Sequence, residues 1–311
     1  MVRRAGVLIV LVLAVAACSG DDGPAATPTT STIPDTTTAC AQPLGGRDLA
    51  YVPGGDPRQV LDLYVPPGAG CEAVPLVVWV HGGGWRTGDK RHAIKDKVAH
   101  WNDAGWAVAS VNYRLSDTDE PEADRLLAPA HDEDAAAAVG WLHRHAADLG
   151  VDPGRIALAG HSAGGGIVAA LAADPGYLGA VGLAPADLTC AAILDAEGLD
   201  IRTAVADQGE YADLYPLIFG TDRAAWDDLS PAAHLGDAAV PPLFLVTRDR
   251  PDHQAIVHDF ATTARAAGGE ATVLGLPTFS HGDVSLRIGD PTDDRLTPAL
   301  DRFLTGCLAR A

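Results

Sequence analysis

Short apolar runs alternate with segments of helical periodicity along most of the chain. Uninterrupted apolar runs are typical of strands covered on both faces of a sheet. We expect strands at residues 60–65, 76–80, 106–112, 155–159, 179–183, 243–247 and 272–276. Apolar residues with helical spacing lie between them, at 132–149, 167–173, 256–267 and 298–308. The alternation predicts an α/β fold, in which helices cover both faces of a mostly parallel central sheet.

Residues 185–241 interrupt this alternation, because the segment is long and shows no strand pattern. We expect it to form helices over the carboxyl edge of the sheet, as a cap-like insertion or one wall of a pocket. The folded domain is expected to span residues 44–311, with this insertion inside it.

The N-terminal residues have the pattern of an export signal. Arg3 and Arg4 precede an apolar run that ends at Ala17 and is followed by Cys18. This pattern predicts a signal peptide over residues 1–17, because the run is too short to span a bilayer. The residues Val-Ala-Ala-Cys at 15–18 resemble the bacterial lipobox, which implies cleavage before Cys18 and attachment of lipid to its thiol. An ordinary signal peptide with an incidental cysteine is the alternative.

A Thr- and Pro-rich segment follows, over residues 18–43. Such a composition buries too little apolar surface to fold, and it predicts a disordered tether. The protein is therefore expected to be exported and held by lipid at the outer face of a bacterial cell membrane.

Four further cysteines, an even number, agree with export to an oxidising compartment. They are Cys40, Cys71, Cys190 and Cys307. Of the three possible pairings we favour Cys40–Cys71 with Cys190–Cys307, and free thiols are the alternative. No spacing of Cys and His indicates a metal site, so neither a metal nor another cofactor is expected.

The chain is acidic, with 41 Asp and Glu against 22 Lys and Arg and a net charge of −19. This charge argues against nucleic-acid binding, which depends on basic groups. It also disfavours direct attraction to anionic lipid, so we expect membrane contact only through the anchor at Cys18. The sequence gives no indication of the oligomeric state.

The strongest chemical signal is Gly-His-Ser-Ala-Gly at residues 160–164, between a predicted strand and a predicted helix. Gly-x-Ser-x-Gly in this context is typical of the nucleophile elbow, in which the serine lies in a tight, strained turn. The turn exposes the Ser162 hydroxyl to a general base. A phosphate loop is the alternative, but the motif lacks the Gly-Lys-Ser/Thr pattern.

A second signal is His-Gly-Gly-Gly-Trp at residues 81–85, directly after a predicted strand. Three glycines allow the backbone to pass close to the sheet edge with its amides uncovered. Two of these amides, together with the amide of Ala163 at the start of the next helix, are expected to stabilise an oxyanion.

A serine nucleophile needs a base and an acid. His281 follows the last predicted strand, which is the place expected for the base in the chain order nucleophile, acid, histidine. The acid should follow strand 243–247, where Asp249 and Asp252 are the candidates. We prefer Asp249, from its distance to the following helix, and keep Asp252 as the alternative. The acid would accept the imidazole N–H and stabilise the imidazolium.

These motifs resemble the α/β-hydrolase superfamily, in its hormone-sensitive-lipase-like branch. Residues 81–90 are similar to the HGGGW-x-x-G-D-K stretch of acetyl-xylan and feruloyl esterases and of kynurenine-formamidase-like proteins. Residues 111–115 and 160–165 also match. The resemblance implies that Ser162 is the nucleophile and that the amides of Gly83, Gly84 and Ala163 form the oxyanion hole. The chain departs from the family at 247–252, where Gly-x-x-Asp is usual, so the identity of the acid stays open.

The expected function is hydrolysis of small-molecule carboxylic esters with a short acyl group. One alternative is an enzyme of the same fold that cleaves an amide bond, as an arylformamidase or other amidase does. The other is a catalytically silent envelope lipoprotein that binds a ligand.

Overall fold

The computed structural model describes residues 46–67, 72–206 and 211–309. Within these ranges, eight strands form one sheet with the spatial order β1-β2-β4-β3-β5-β6-β7-β8. The strands are β1 Gly46–Ala50, β2 Val60–Tyr64, β3 Val74–Val80, β4 Ala107–Val111, β5 Val151–His161, β6 Cys190–Leu194, β7 Leu243–Thr247 and β8 Ala271–Gly275.

Helices fill the connections. They are α1 Lys95–Asp103, α2 Ala130–Arg144, α3 Ala146–Leu149, α4 Ala163–Ala173, α5 Pro175–Gly179, α6 Ile201–Ala206, α7 Tyr215–Phe219, α8 Ala225–Asp228, α9 Pro251–Ala266, α10 His281–Leu286 and α11 Leu296–Leu308. Two short 3-10 helices lie at Pro185–Asp187 and Pro231–His234. None of the helices in the described ranges has the length and apolar content that crossing a membrane requires.

The sheet is parallel from β4 through β8, whereas β1 and β2 join it in antiparallel register. Apolar residues on one face pack against α2, α4 and α9. The other face packs against α1 and α11, with Trp79, Trp101 and Leu300 in its core. The predicted α/β architecture is therefore confirmed. Because parallel strands share one direction, the residues after β3, β5, β6 and β7 meet at the same edge.

The strand expected at residues 179–183 is wrong. Gly179 ends α5, and Gly182 adopts a left-handed turn with φ of 82°. The strand is β6, whose five residues are all buried and pair with β5 and β7. Residues 185–241 are consequently not wholly an insertion, since they contain a central strand before the short helices α6, α7 and α8.

A disulfide joins Cys190, the first residue of β6, to Cys307 in α11, with their Cα atoms 6.1 Å apart. This half of the favoured pairing is confirmed. The expected signal peptide (1–17), Cys18, the tether (18–43), Cys40 and Cys71 all lie outside the described residues.

Candidate active site

Ser162 lies in a sharp turn between β5, which ends at His161, and α4, which begins at Ala163. Its backbone has φ of 57° and ψ of −125°, a conformation that non-glycine residues rarely adopt. The Ser162 amide donates a hydrogen bond of 3.0 Å to the carbonyl of Leu194 at the end of β6. The elbow predicted from Gly-x-Ser-x-Gly is thus present, and it is joined to the neighbouring strand.

The turn is possible because small residues surround it. A Cβ atom at Gly164 would collide with the backbone carbonyl oxygens of Val80 and His81. The absence of that atom allows the first turn of α4 to pack against the carboxyl end of β3. The same contact brings the loop that follows β3 to the elbow.

That loop is the glycine segment at residues 82–84. A Cβ atom at Gly82 would lie 3.1 Å from the Ser162 Cβ, so the loop and the serine are in direct contact. Gly83 and Gly84 both have positive φ, 125° and 59°. Their amides donate to no acceptor in the part of the chain that the structure describes. Ala163 is the first residue of its helix, so its amide has no intrahelical acceptor.

His281 begins α10 and lies five residues after the buried Leu276, which directly follows β8. Ser280 caps this helix, accepting a hydrogen bond from the Asp283 amide while the Asp283 carboxylate accepts one from the Ser280 amide. The His281 carbonyl also accepts a hydrogen bond of 2.8 Å from His161 Nε2. His161, the residue beside Ser162, therefore holds the backbone of the predicted base.

His161 acts here as a neutral donor. Burial, and after it the nearby charge of His281, lower the pKa of His161 to about 3. Its ring lies 4.5 Å from the His281 ring, between centroids. This supports the interpretation of His161 as a residue of the scaffold rather than a base.

The carboxylate that meets His281 is Asp195, which the sequence analysis did not single out. His281 Nδ1 lies 2.5 Å from Asp195 Oδ2. Asp195 directly follows β6, its side chain is 1% exposed, and its φ is 45°. Like Ser162, it is therefore a polar residue held in a strained turn at the carboxyl edge of the sheet.

The expectation that Asp249 or Asp252 partners His281 is wrong in this structure. Asp249 is exposed, and Asp252 lies 3.5 Å from Arg250 Nε. The physical reason is strand order, because β6 is adjacent to β5 and its end lies closer to the elbow than the end of β7. The available signal was the apolar run at 190–194 followed at once by an aspartate.

Asp195 remains ionised despite its burial. Desolvation alone would raise the pKa of Asp195, but the hydrogen bond with His281 and the positive charges around the carboxylate lower it to about 2. A buried anion that contacts one imidazole nitrogen fixes the ring orientation and stabilises the imidazolium.

Ser162, His281 and the glycine segment line one cavity of about 790 Å³. Its apolar wall contains Trp79, Trp85, Leu214, Leu217 and Leu286. Its polar lining contains Arg86, Thr87, Asp89, His92, Glu197, Tyr211, Asp213 and Ser285. A space of this size accommodates a small organic ligand beside Ser162.

One polar wall of the cavity is held in place by buried hydrogen bonds. The Glu197 carboxylate accepts a hydrogen bond of 2.7 Å from the Tyr215 hydroxyl and another of 2.7 Å from Arg250 Nη1. The Glu197 amide donates to the Ser162 carbonyl at 3.2 Å. Sequence reasoning missed these residues, because they become neighbours only through the placement of β6 and α7.

Among the described residues, one group of histidine and carboxylate side chains is close enough to consider for a metal: His161, Asp195 and His281, with donor atoms within 4.8 Å of one another. We assign no metal to it, because His281 binds Asp195 and His161 binds the His281 carbonyl.

Comparison with known proteins places the site in context. The family model described as BD-FAE matches residues 61–181, a range that contains Ser162 and the glycine segment. Carboxylesterase NlhH of Mycobacterium tuberculosis is 32% identical over 249 residues, which span 74% of this chain and 72% of that protein.

Two solved structures share the fold. Esterase B of Lactobacillus rhamnosis superimposes with a TM-score of 0.67 at 20% identity, covering 85% of this chain and 84% of that one. A truncated carbohydrate esterase from gut microbiota gives 0.69 at 18% identity, covering 88% of this chain and 100% of that one.

Proposed function

This chain belongs to the carboxylesterases of the α/β-hydrolase superfamily, and from that premise we propose that it hydrolyses small-molecule carboxylic esters with Ser162, His281 and Asp195. The observation that carries the proposal is the contact of the buried Asp195 with His281, which lines the same cavity as Ser162. This arrangement contains a nucleophile, a base and an orienting acid.

In the first half-reaction, His281 takes the proton of the Ser162 hydroxyl while the serine oxygen attacks the acyl carbon. Asp195 accepts the hydrogen bond from Nδ1–H, so the other ring nitrogen is free to act as the base. The tetrahedral intermediate then expels the alcohol, which receives the proton from His281. The product is an acyl-serine.

Water completes the cycle by the same steps. His281 removes a proton from water, the hydroxide attacks the acyl-serine, and the second tetrahedral intermediate releases the carboxylic acid and restores Ser162. Both intermediates carry a negative oxygen, for which the amides of Gly83, Gly84 and Ala163 are the proposed donors. Loss of one such donor costs about 10²–10³ in rate.

The proposed substrates have short acyl groups. The part of the cavity wall that contains Glu197 is polar, and buried hydrogen bonds from Tyr215 and Arg250 hold this carboxylate in place. A long alkyl chain that reached this wall would exclude water from the carboxylate, which costs free energy. Across p-nitrophenyl esters, kcat/KM should be highest for acyl groups of two to six carbons and at least tenfold lower at twelve.

The central test combines a covalent probe with three aspartate variants. A fluorophosphonate probe should label the wild type and not Ser162→Ala. Asp195→Asn should lower kcat by about 10³–10⁴, because an amide presents the wrong hydrogen-bonding group to Nδ1.

Asp249→Asn and Asp252→Asn are the matched controls and should retain activity within about threefold, since neither residue contacts His281. A large loss in either control, with Asp195→Asn active, would overturn the assignment of the acid.

The same experiment distinguishes the alternatives. Hydrolysis of N-formylkynurenine faster than of p-nitrophenyl acetate would indicate an amidase. A wild type that is folded, is not labelled and turns over neither substrate would indicate a ligand-binding protein.

We also propose that the protein is exported and lipid-anchored through Cys18, on the strength of the lipobox-like residues 15–18. In cells fed an alkyne fatty acid, the wild type should incorporate the label and sediment with membranes. Cys18→Ser should do neither; membrane association of an unlabelled Cys18→Ser protein would contradict the anchor.

A further inference from the structure

The Asp195 carboxylate contacts an arginine as well as the imidazole of His281. Arg248, in the loop after β7, donates from Nε to Asp195 Oδ2 at 2.6 Å. His281 Nδ1 contacts the same oxygen at 2.5 Å. One carboxylate oxygen therefore joins a guanidinium and the proposed catalytic imidazole.

The second oxygen, Asp195 Oδ1, is buried and has no hydrogen-bond partner among the described residues. Its neighbour is His253 in α9, whose Nδ1 lies 3.6 Å away. The other nitrogen of His253, Nε2, contacts the carbonyl oxygen of Ala196 at 2.6 Å and must be the donor there. At 3.6 Å, His253 Nδ1 is too far from Asp195 Oδ1 for a hydrogen bond.

Arg248 is thus the direct cationic partner of Asp195 that stays charged at every working pH. Its side chain is 14% exposed and the carboxylate 1%, so solvent screens the pair only weakly. The arginine stands in the loop where the resembled family usually places its acid. In this chain the carboxylate that contacts His281 follows β6, and the β7 loop contributes a cation.

From this geometry, and resting on the proposed function, we infer that Arg248 is a positioning residue for proton transfer: it directs Asp195 Oδ2 toward His281 and offsets part of the carboxylate charge that the imidazolium experiences. An uncompensated carboxylate makes a neighbouring imidazole more basic, and a cation on the same oxygen reduces that effect. Removal of the Arg248 cation is therefore expected to favour the imidazolium of His281.

Other titratable groups surround this cluster and are left unchanged by the test. They are His161 at the end of β5, His253 in α9, Tyr211 with its ring 6.1 Å from that of His281, and Lys97 of α1, which donates to the Ser285 carbonyl of α10.

The experiment measures kcat/KM on p-nitrophenyl acetate from pH 5 to 9 for wild type, Arg248→Gln and Arg248→Lys. Arg248→Gln should move the acidic limb to higher pH by about 0.5–1 unit, because removing the cation favours the imidazolium. It should also lower the plateau about tenfold through loss of orientation. Arg248→Lys keeps the charge, so its acidic limb should stay within about 0.3 unit of wild type while the plateau falls.

Arg265→Gln is the control, since Arg265 in α9 donates to the Ala271 carbonyl, away from the cavity. It should leave both limb and plateau unchanged. The inference would be overturned if a folded Arg248→Gln had the same acidic limb of the pH profile as wild type. It would also be overturned if Arg265→Gln shifted that limb by the same amount as Arg248→Gln.

A second readout does not need turnover. In Ser162→Ala proteins, NMR titration of the His281 ring should show its midpoint higher with Arg248→Gln than with Arg248, and an equal midpoint counts against the inference. Absence of wild-type hydrolysis and labelling would instead refute the proposed function, so the two failures are distinguishable.

Discussion

Ser162 and Asp195, two residues proposed to take part in catalysis, adopt backbone conformations that are usual for glycine, with φ of 57° and 45°. A non-glycine residue in a sparsely populated region costs about 1–3 kcal/mol, which the surrounding structure must offset. Both lie at the carboxyl edge of the sheet, where Ser162 lines the cavity and the buried Asp195 contacts His281. Two of the residues proposed to do the chemistry therefore carry backbone strain.

This strain predicts a difference between two inactive variants. Ser162→Gly relieves the unfavourable φ, whereas Ser162→Ala keeps it. We expect the glycine variant to be more stable by about 1 kcal/mol, although glycine normally destabilises a fold. Thermal and urea unfolding of the two proteins measure the difference; equal stabilities, or a less stable glycine variant, would show that the turn is unstrained.

At the scale of elements, sequence reasoning succeeded where the signal was local. The strands β2, β3, β4, β7 and β8 and the second half of β5 lie where apolar runs predicted them. Ser162 was found because its turn is encoded within five residues. The contact between the loop and the elbow likewise follows from consecutive glycines.

The sequence failed where the outcome depended on distant parts of the chain. The runs Gly-Ala-Val-Gly-Leu and Cys-Ala-Ala-Ile-Leu are both apolar, and the second is the one that pairs with β5 and β7 as β6. Once β6 was misplaced, the acid could not be identified, because Asp195 is defined by the strand that it follows. The Arg248 contact depends on the same placement.

The helix α2 carries an element-scale prediction at Asp132, a buried residue of its first turn. Burial raises the pKa of Asp132 to about 8, whereas the pKa of an aspartate in an unfolded chain is about 3.9. The folded state therefore keeps a proton that the unfolded state releases. The contribution of Asp132 to the free energy of unfolding is therefore fully present below about pH 4 and is lost as the pH rises to about 8.

Asp132→Asn removes this dependence, since the amide stays neutral. It should be more stable than wild type by about 1–3 kcal/mol at pH 9, with the gap closing toward pH 4. Urea unfolding across this range measures it. Glu133→Gln, an exposed change in the same turn, is the control and should differ from wild type by less than about 0.5 kcal/mol.

At the scale of the whole molecule, the Cys190–Cys307 disulfide ties a central strand to the last helix across 117 residues of sequence. A cross-link over so long a loop restricts the unfolded chain strongly. Cys190→Ser with Cys307→Ser should lower the free energy of unfolding by about 2–4 kcal/mol. The activity at 25 °C should be retained, because neither cysteine lines the cavity.

Denaturant unfolding and ester turnover of this double variant, beside the oxidised wild type, measure the two effects. An unchanged midpoint would mean that the cross-link adds nothing beyond the packing of α11 on the sheet.

The three members of the proposed triad are carried on strands of unequal protection. Ser162 and Asp195 follow neighbouring inner strands joined by the bond from the Ser162 amide to Leu194, whereas His281 comes after β8, the partly exposed edge strand. Edge strands open before inner ones as a protein warms. On heating, His281 should therefore separate from Ser162 and Asp195 before the rest of the fold unfolds. The rate of ester hydrolysis should then decrease reversibly at temperatures below the Tm.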